Sequence, residues 1–150
     1  MGRTSRTADP EGAPYRWVPY RAGSERVYEN ELDTCLQDRC VSQVDYDGAH
    51  GDIEAMVHLA ERGLLHPPEA EAATPVRLDP DLWELRWSRP RSDDRLRIYF
   101  GEPESQREVL LALKAHWKWW TDRSSAQEVD AAQDRHMREA GARYRRSGFR

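Results

Sequence analysis

Three segments of the chain alternate apolar and polar residues with a period of two: Leu82–Trp87, Arg95–Phe100 and Val109–Trp117. Residues two apart on a strand share a face. Trp83, Leu85 and Trp87 therefore fall together, as do Leu96, Ile98 and Phe100, and Val109, Leu111, Leu113 and Trp117. The opposite face collects Glu84 and Arg86, then Arg95, Arg97 and Tyr99, then Lys114, His116 and Lys118, with Leu110 and Ala112 among them. Cleaving RNA through its own 2′-OH needs an acceptor for the hydroxyl proton and a donor for the departing 5′-oxygen. It also needs positive charge at the crowded phosphate. Lys, Arg, His and Tyr supply all three without a metal. The same pattern fits a solvated sheet face on which Lys and Arg blunt aggregation.

Other chemistry-bearing residues are less well arranged. His50, Glu54 and His58 are spaced four apart, but no further strong ligand follows at a set spacing, so no metal site is assigned. The stretch Asp45–Asp52 (DYDGAHGD) lacks the spaced acidic positions and terminal Glu of a calcium loop, and reads as a turn and helix cap. Cys35 and Cys40 are read as reduced thiols, since two cysteines make neither a zinc site nor a disulfide framework. No cofactor is expected.

Positioning the alternating segments takes the rest of the chain. Residues 1–14, with Gly2, Pro10 and Gly12, are expected to form a disordered tail, and 15–142 a single domain. Tyr15–Tyr20 is a short strand that Pro19 confines to an edge. A helix capped by Ser24 carries Val27, Leu32, Cys35 and Leu36. A second carries Ile53, Met56, Val57, Ala60 and Leu64, with Gly63 at its C-terminal cap and Asp45–Asp52 as the loop between the two. His66–Pro75 is a proline-set connector, and Ser88–Asp94 has hairpin-loop composition. Ser125 and Glu128 have capping-box spacing before a helix bearing Val129, Ala132, His136 and Ala140, and residues 143–150 form a basic tail. This order implies an α+β domain with helices packed on one sheet.

Composition sets the outer bounds. The 150 residues suffice for one domain with a real core, and six Trp and six Tyr argue against full disorder. Mean hydropathy is −0.95. No apolar run approaches a membrane span and the start is polar, so a cytoplasmic protein without membrane contact is expected. Residues 1–85 carry 8 Lys/Arg against 17 Asp/Glu, whereas residues 86–150 carry 15 against 10. An anionic partner would meet the second half. Two sets of charged helix faces would give the same asymmetry.

The runs LWELR (Leu82–Arg86), RLRIYF (Arg95–Phe100) and VLLALKAHWK (Val109–Lys118), preceded by AERGLLHPPE (Ala60–Glu69), resemble the RelE/HigB toxin superfamily, especially its phage-derived HigB-like branch. The resemblance covers residues 15–140. It implies a RelE-like fold, a twisted antiparallel sheet with an N-terminal helical pair on one face and a C-terminal helix. It also implies a type II toxin that cuts mRNA on the ribosome and is neutralised by a cognate antitoxin, expected to be a helix-turn-helix protein. On this resemblance Arg97 holds the scissile phosphate, and Arg86 acts on the 2′-OH or steadies the phosphate. Lys114, His116 and Lys118 lie where the family places leaving-group chemistry, and Tyr99 joins the candidate set. Arg95, Trp119, Trp120 and Arg123 are candidate RNA contacts, the tryptophans by stacking on bases or, equally, as anchors for a protein partner. The chain departs from the family in its acidic pI of about 5.8 and in having tryptophans where a basic pair is usual. Two further classes stay open: a ParE-like toxin that binds gyrase, and a RelE-fold remnant of phage or mobile-element origin without catalysis.

Overall fold

The computed structural model describes residues 3–68, 70–118 and 126–149. Its elements are β1 (Arg16–Pro19), α1 (Val27–Arg39), α2 (Gln43–Glu61), β2 (Thr74–Pro75), β3 (Leu82–Ser88), β4 (Arg95–Gly101), β5 (Val109–Lys118) and α3 (Ala126–Arg146). One sheet runs in the order β1-β5-β4-β3-β2. The class is α+β as expected, but the sheet is mixed rather than antiparallel. β1 pairs parallel to β5, from Arg16 opposite Val109 to Pro19 opposite Ala112. The long path through both first helices gives the chain the crossover that a parallel pair requires. No helix among the described residues is long and apolar enough to cross a membrane.

Two expected boundaries move for local reasons. α1 begins at Val27 behind Arg26, which makes no side-chain cap, rather than at Ser24. Asp45–Asp52 lies inside α2 and not in a loop. Ser42 caps this helix, its Oγ accepting from Asp45 N at 3.1 Å while Asp45 Oδ2 accepts from Val41 N at 3.0 Å. That reciprocal cap sets the start of α2 upstream of Gly48 and Gly51. The helix ends as expected, with Gly63 at a φ of 70° just beyond it.

The tails are also built in. Ser5, Arg6 and Thr7 are buried, in a segment of two short 3₁₀ turns at Arg6–Ala8 and Pro10–Gly12. Arg6 Nη2 donates to Pro103 O at 3.0 Å, and Glu102 Oε2 accepts from Arg6 N at 2.7 Å and from Ser5 Oγ at 2.9 Å. Leu65 N donates to Thr7 O at 2.8 Å. The expectation of a disordered 1–14 is thus corrected for residues 3–14: polar side chains, which composition scores as tail, satisfy backbone groups of the β4–β5 connection. At the other end α3 runs on to Arg146, and Arg143 and Tyr144 of the expected basic tail are buried. Gly101 makes room for this, since a Cβ there would meet the Tyr144 ring at 2.7 Å.

A β-bulge decides which way β5 faces. Tyr99 pairs with Lys114 but Phe100 pairs with Ala112, leaving Leu113 as the extra residue. Opposed residues share a face, so Leu110, Ala112, Ala115 and Trp117 lie with Phe100, Ile98 and Leu96. Val109 and Leu111 lie on the polar side, the reverse of the simple alternation. The apolar face packs Trp17 against Phe100 (ring centroids 5.7 Å) and Trp87 against Trp117 (6.1 Å), with Leu36 and Ile53 of the first two helices in the same core.

Because β1 stops opposite Ala112, the rest of β5's outer edge has no strand, and α1 takes its place. Glu31 Oε1 accepts from Ala115 N at 2.9 Å, and Trp117 Nε1 donates to Cys35 O at 2.7 Å. The Glu31 carboxylate also binds Lys114 Nζ at 3.0 Å and both terminal nitrogens of Arg143 at 2.9 and 3.0 Å. Arg143 Nη1 reaches Leu113 O at 2.7 Å, the carbonyl at the bulge. Removing one partner of such a buried set leaves the others uncompensated. We expect Glu31→Ala to lose about 3–5 kcal/mol in urea unfolding. Glu29→Ala, whose partners Arg21 and Arg26 are exposed, should change it by no more than about 1 kcal/mol. Equal effects would show that the network is not what holds α1 and α3 to the sheet.

Candidate functional site

The register lays the polar face out in three cross-strand rows: Glu84–Tyr99–Lys114, Arg86–Arg97–His116 and Ser88–Arg95–Lys118. All six candidate catalytic residues, and Arg95, therefore lie on one face. Trp119, Trp120, Arg123 and the capping Ser125 lie outside the described residues. The face is not the open, solvated surface that alternation suggests, because α3 covers its β5 side. Tyr99, Arg97, Lys114 and His116 are 0%, 3%, 4% and 5% exposed.

Under α3 these side chains are occupied by one another. Lys114 Nζ sits between Glu31 Oε2 at 3.0 Å and Glu139 Oε2 at 2.9 Å. His116 Nδ1 lies 3.1 Å from Trp117 O, which only accepts, so Nδ1 carries the proton. Nε2 then accepts from the Tyr99 hydroxyl at 2.9 Å. His116 stacks on His136 of α3 with centroids 3.9 Å apart. Burial, then the neighbouring His136, pushes His116 down to about 3. Burial, then Lys114, pushes His136 down to about 4. Both rings are neutral at pH 7. Burial, then Glu84, raises the Tyr99 hydroxyl above its ordinary value, so it stays a donor.

The corner away from α3 is different. Arg86 is 37% exposed at its side chain, Arg95 is exposed and Lys118 is half-buried, and the three surround the buried Arg97. Glu84, a residue the sequence reading placed on this face without a role, lies beneath: its Oε1 is 2.8 Å from Arg97 Nη1 and 3.6 Å from Arg86 Nε. The Glu84 carboxylate is off the donors' axes, and Arg97 Nε, Arg97 Nη1 and Arg86 Nε make no hydrogen bond. Buried guanidinium groups held in place but not hydrogen-bonded are ready to take anion oxygens. Burial lowers the Lys118 ammonium from its usual range, and Arg97 beside it adds to the shift. Glu84 was legible as a partner only from its place in LWELR, two residues before Arg86.

Between the end of β5 and the first half of α3 is a cavity of about 130 Å³, lined by Val129 and Ala132 and by His116, Gln133, His136 and Lys118. Elsewhere, the spaced residues of α2 pair locally, His50 with Glu54 at 3.6 Å and His58 with Glu61 at 3.5 Å. Among the described residues no group of three or more His, Cys, Asp or Glu is placed to hold a metal.

The neutral histidines make stability depend on pH. Their folded-state values lie below the ordinary 6.5, so the unfolded chain binds protons first as pH falls. Stability is full above pH 6.5 and declines toward pH 4 and 3. Glu31 and Glu139, held below 4.5 by Arg143 and Lys114 against the opposing effect of burial, act only at lower pH. Glu102, raised by burial, works the other way. From pH 7 to 5, His116 alone contributes a loss of about 2 kcal/mol. Thermal melts should show His116→Asn with a flatter decline over that interval; an unchanged slope would mean that His116 is protonated in the fold. Comparison with protein-family models, curated proteins and solved structures finds no match for this chain, so its function is argued from the site itself.

Proposed function

We propose that the chain is a toxin of the RelE/HigB kind with a RelE-like arrangement of its elements, an endoribonuclease that cuts mRNA on the ribosome in the cytoplasm and is held in check by a helix-turn-helix antitoxin. The observation that supports this most is the cationic corner, where Arg86, Arg95 and Lys118 surround Arg97 guanidinium nitrogens that are buried without hydrogen bonds. In the proposed step the 2′-oxygen attacks phosphorus, the bond to the 5′-oxygen breaks and a 2′,3′-cyclic phosphate results. Arg97 and Arg86 stabilise the charge that builds on the phosphoryl oxygens. Lys118, whose ammonium is destabilised by burial and by Arg97, is the group best suited to accept the 2′-OH proton. Arg95, opposite Lys118, adds charge at the leaving side. Tyr99, His116 and Lys114 act through this corner by holding its floor, since each is already engaged and shielded by α3.

One observation favours a second reading, a RelE-fold protein that does not cleave RNA. Arg97 is 3% exposed and already has the Glu84 carboxylate 2.8 Å away. Induced expression in bacteria separates the two, and the variants must be exposed residues, because Arg97→Ala would strand Glu84 in the core. Wild type should arrest growth with codon-phased transcript cuts within minutes. Lys118→Ala and Arg86→Ala should each lower cutting by about 10²-fold or more with the fold intact. Arrest with intact transcripts would point to a protein target, as for ParE-like toxins binding gyrase. No arrest from folded protein would remove the toxin reading.

A further inference from the structure

The cavity beside the cationic corner has features that the corner alone does not explain. His136 lines it, and His136 Nδ1 is buried without a hydrogen-bond partner. A desolvated polar atom left unpaired is costly, and a ligand that reaches it recovers that loss. Val129 and Ala132 supply an apolar wall, and Gln133 and His116 a polar one. The size is selective. An apolar cavity of about 150 Å³ admits benzene, so about 130 Å³ suits one six-membered ring and not a fused bicycle.

Position ties the cavity to the cations. His116 is directly opposite Arg97, and Lys118, which also lines the cavity, is directly opposite Arg95. Directly opposed residues have Cβ atoms about 5 Å apart. A group anchored on the cations thus has a ring-sized recess within one nucleotide's reach. The recess is walled by uncharged imidazoles, which offer hydrogen bonds to a neutral ring and no charge to an anion.

We infer that this cavity is a pyrimidine-base subsite, which takes uracil or cytosine of single-stranded RNA while the adjoining phosphate rests on Arg86, Arg95 and Lys118. The inference rests on the RNA-binding reading of the cationic corner and adds to it a base preference. The ring enters edge-on between α3 and β5 and meets His136 Nδ1, and the larger purine is excluded by Val129 and Ala132.

The test is a titration of the full chain with uridine 3′-monophosphate, adenosine 3′-monophosphate and inorganic phosphate at pH 7, read by NMR of the histidine ring resonances. The uridine nucleotide should bind at least about tenfold more tightly than the other two and should alone move the His136 resonances. Ala132→Phe should remove that preference and leave the affinity for phosphate unchanged. Should the variant fail to fold, the His136 shift in wild type still decides. Equal affinities with His136 unmoved would overturn the base subsite and leave the cationic corner standing. No binding of any of the three, phosphate included, would overturn both.

Discussion

The Glu31 carboxylate is the contact on which the rest of the arrangement depends. β1 is cut short at Pro19, so beyond Ala112 the edge of β5 would present unpaired backbone groups. Glu31 takes the Ala115 N–H, and in doing so brings a negative charge against the sheet. That charge is tolerated in a half-buried place because Lys114 and Arg143 meet it with hydrogen bonds and not by proximity alone. Arg143 in turn uses the carbonyl of Leu113, the residue that the bulge adds to β5. A short strand, a bulge and a helix terminus are thereby joined through one side chain.

Docking α3 through Arg143 determines what the polar face becomes. With Glu139 on Lys114 and His136 on His116, the helix covers the β5 side and leaves the hairpin side open. The charge asymmetry along the chain then has an internal explanation in part. Acidic residues of the first half meet cations of the second: Glu31 with Lys114 and Arg143, Glu84 with Arg97 and Arg86, Asp45 with Arg89. Cations without such a partner along their hydrogen-bonding axes are concentrated in the corner around Arg97. Overall acidity is therefore no argument against an anion site there.

Strand alternation made the face membership of Glu84, Arg86, Arg97, Tyr99, His116 and Lys114 legible, because a period of two survives any packing on either side. It did not make the inversion at Val109–Ala112 legible, since a bulge leaves no mark in an uninterrupted apolar run such as Val109–Leu113. Nor could it show that the face is covered. The side chains that α3 turns inward include His136, Gln133 and Glu139, so a search for an apolar stripe ranks this helix as weakly anchored. The same bias hid residues 3–14, where Ser5, Arg6 and Thr7 are buried for their hydrogen bonds. Gly48 and Gly51 misled in the opposite sense, marking a loop inside a helix whose true signal was the Ser42–Asp45 cap.

Neutrality of the stacked histidines follows from where they sit. His116 lies beside His136, with Lys114 and Arg97 close enough to penalise any added positive charge. A protonated imidazole there would be repelled from both sides and poorly solvated, so the pair persists as uncharged rings, with His116 proton-bonded to Trp117 O and accepting from Tyr99. The polar face is accordingly divided by protonation as well as by exposure. Its covered side consists of matched ion pairs and neutral hydrogen-bonding groups, whereas Arg86, Arg95, Arg97 and Lys118 keep an excess of positive charge over the single Glu84 at the open corner. An anion approaching this face meets attraction only at that corner, and a neutral ring finds unpaired hydrogen-bonding capacity only beside it.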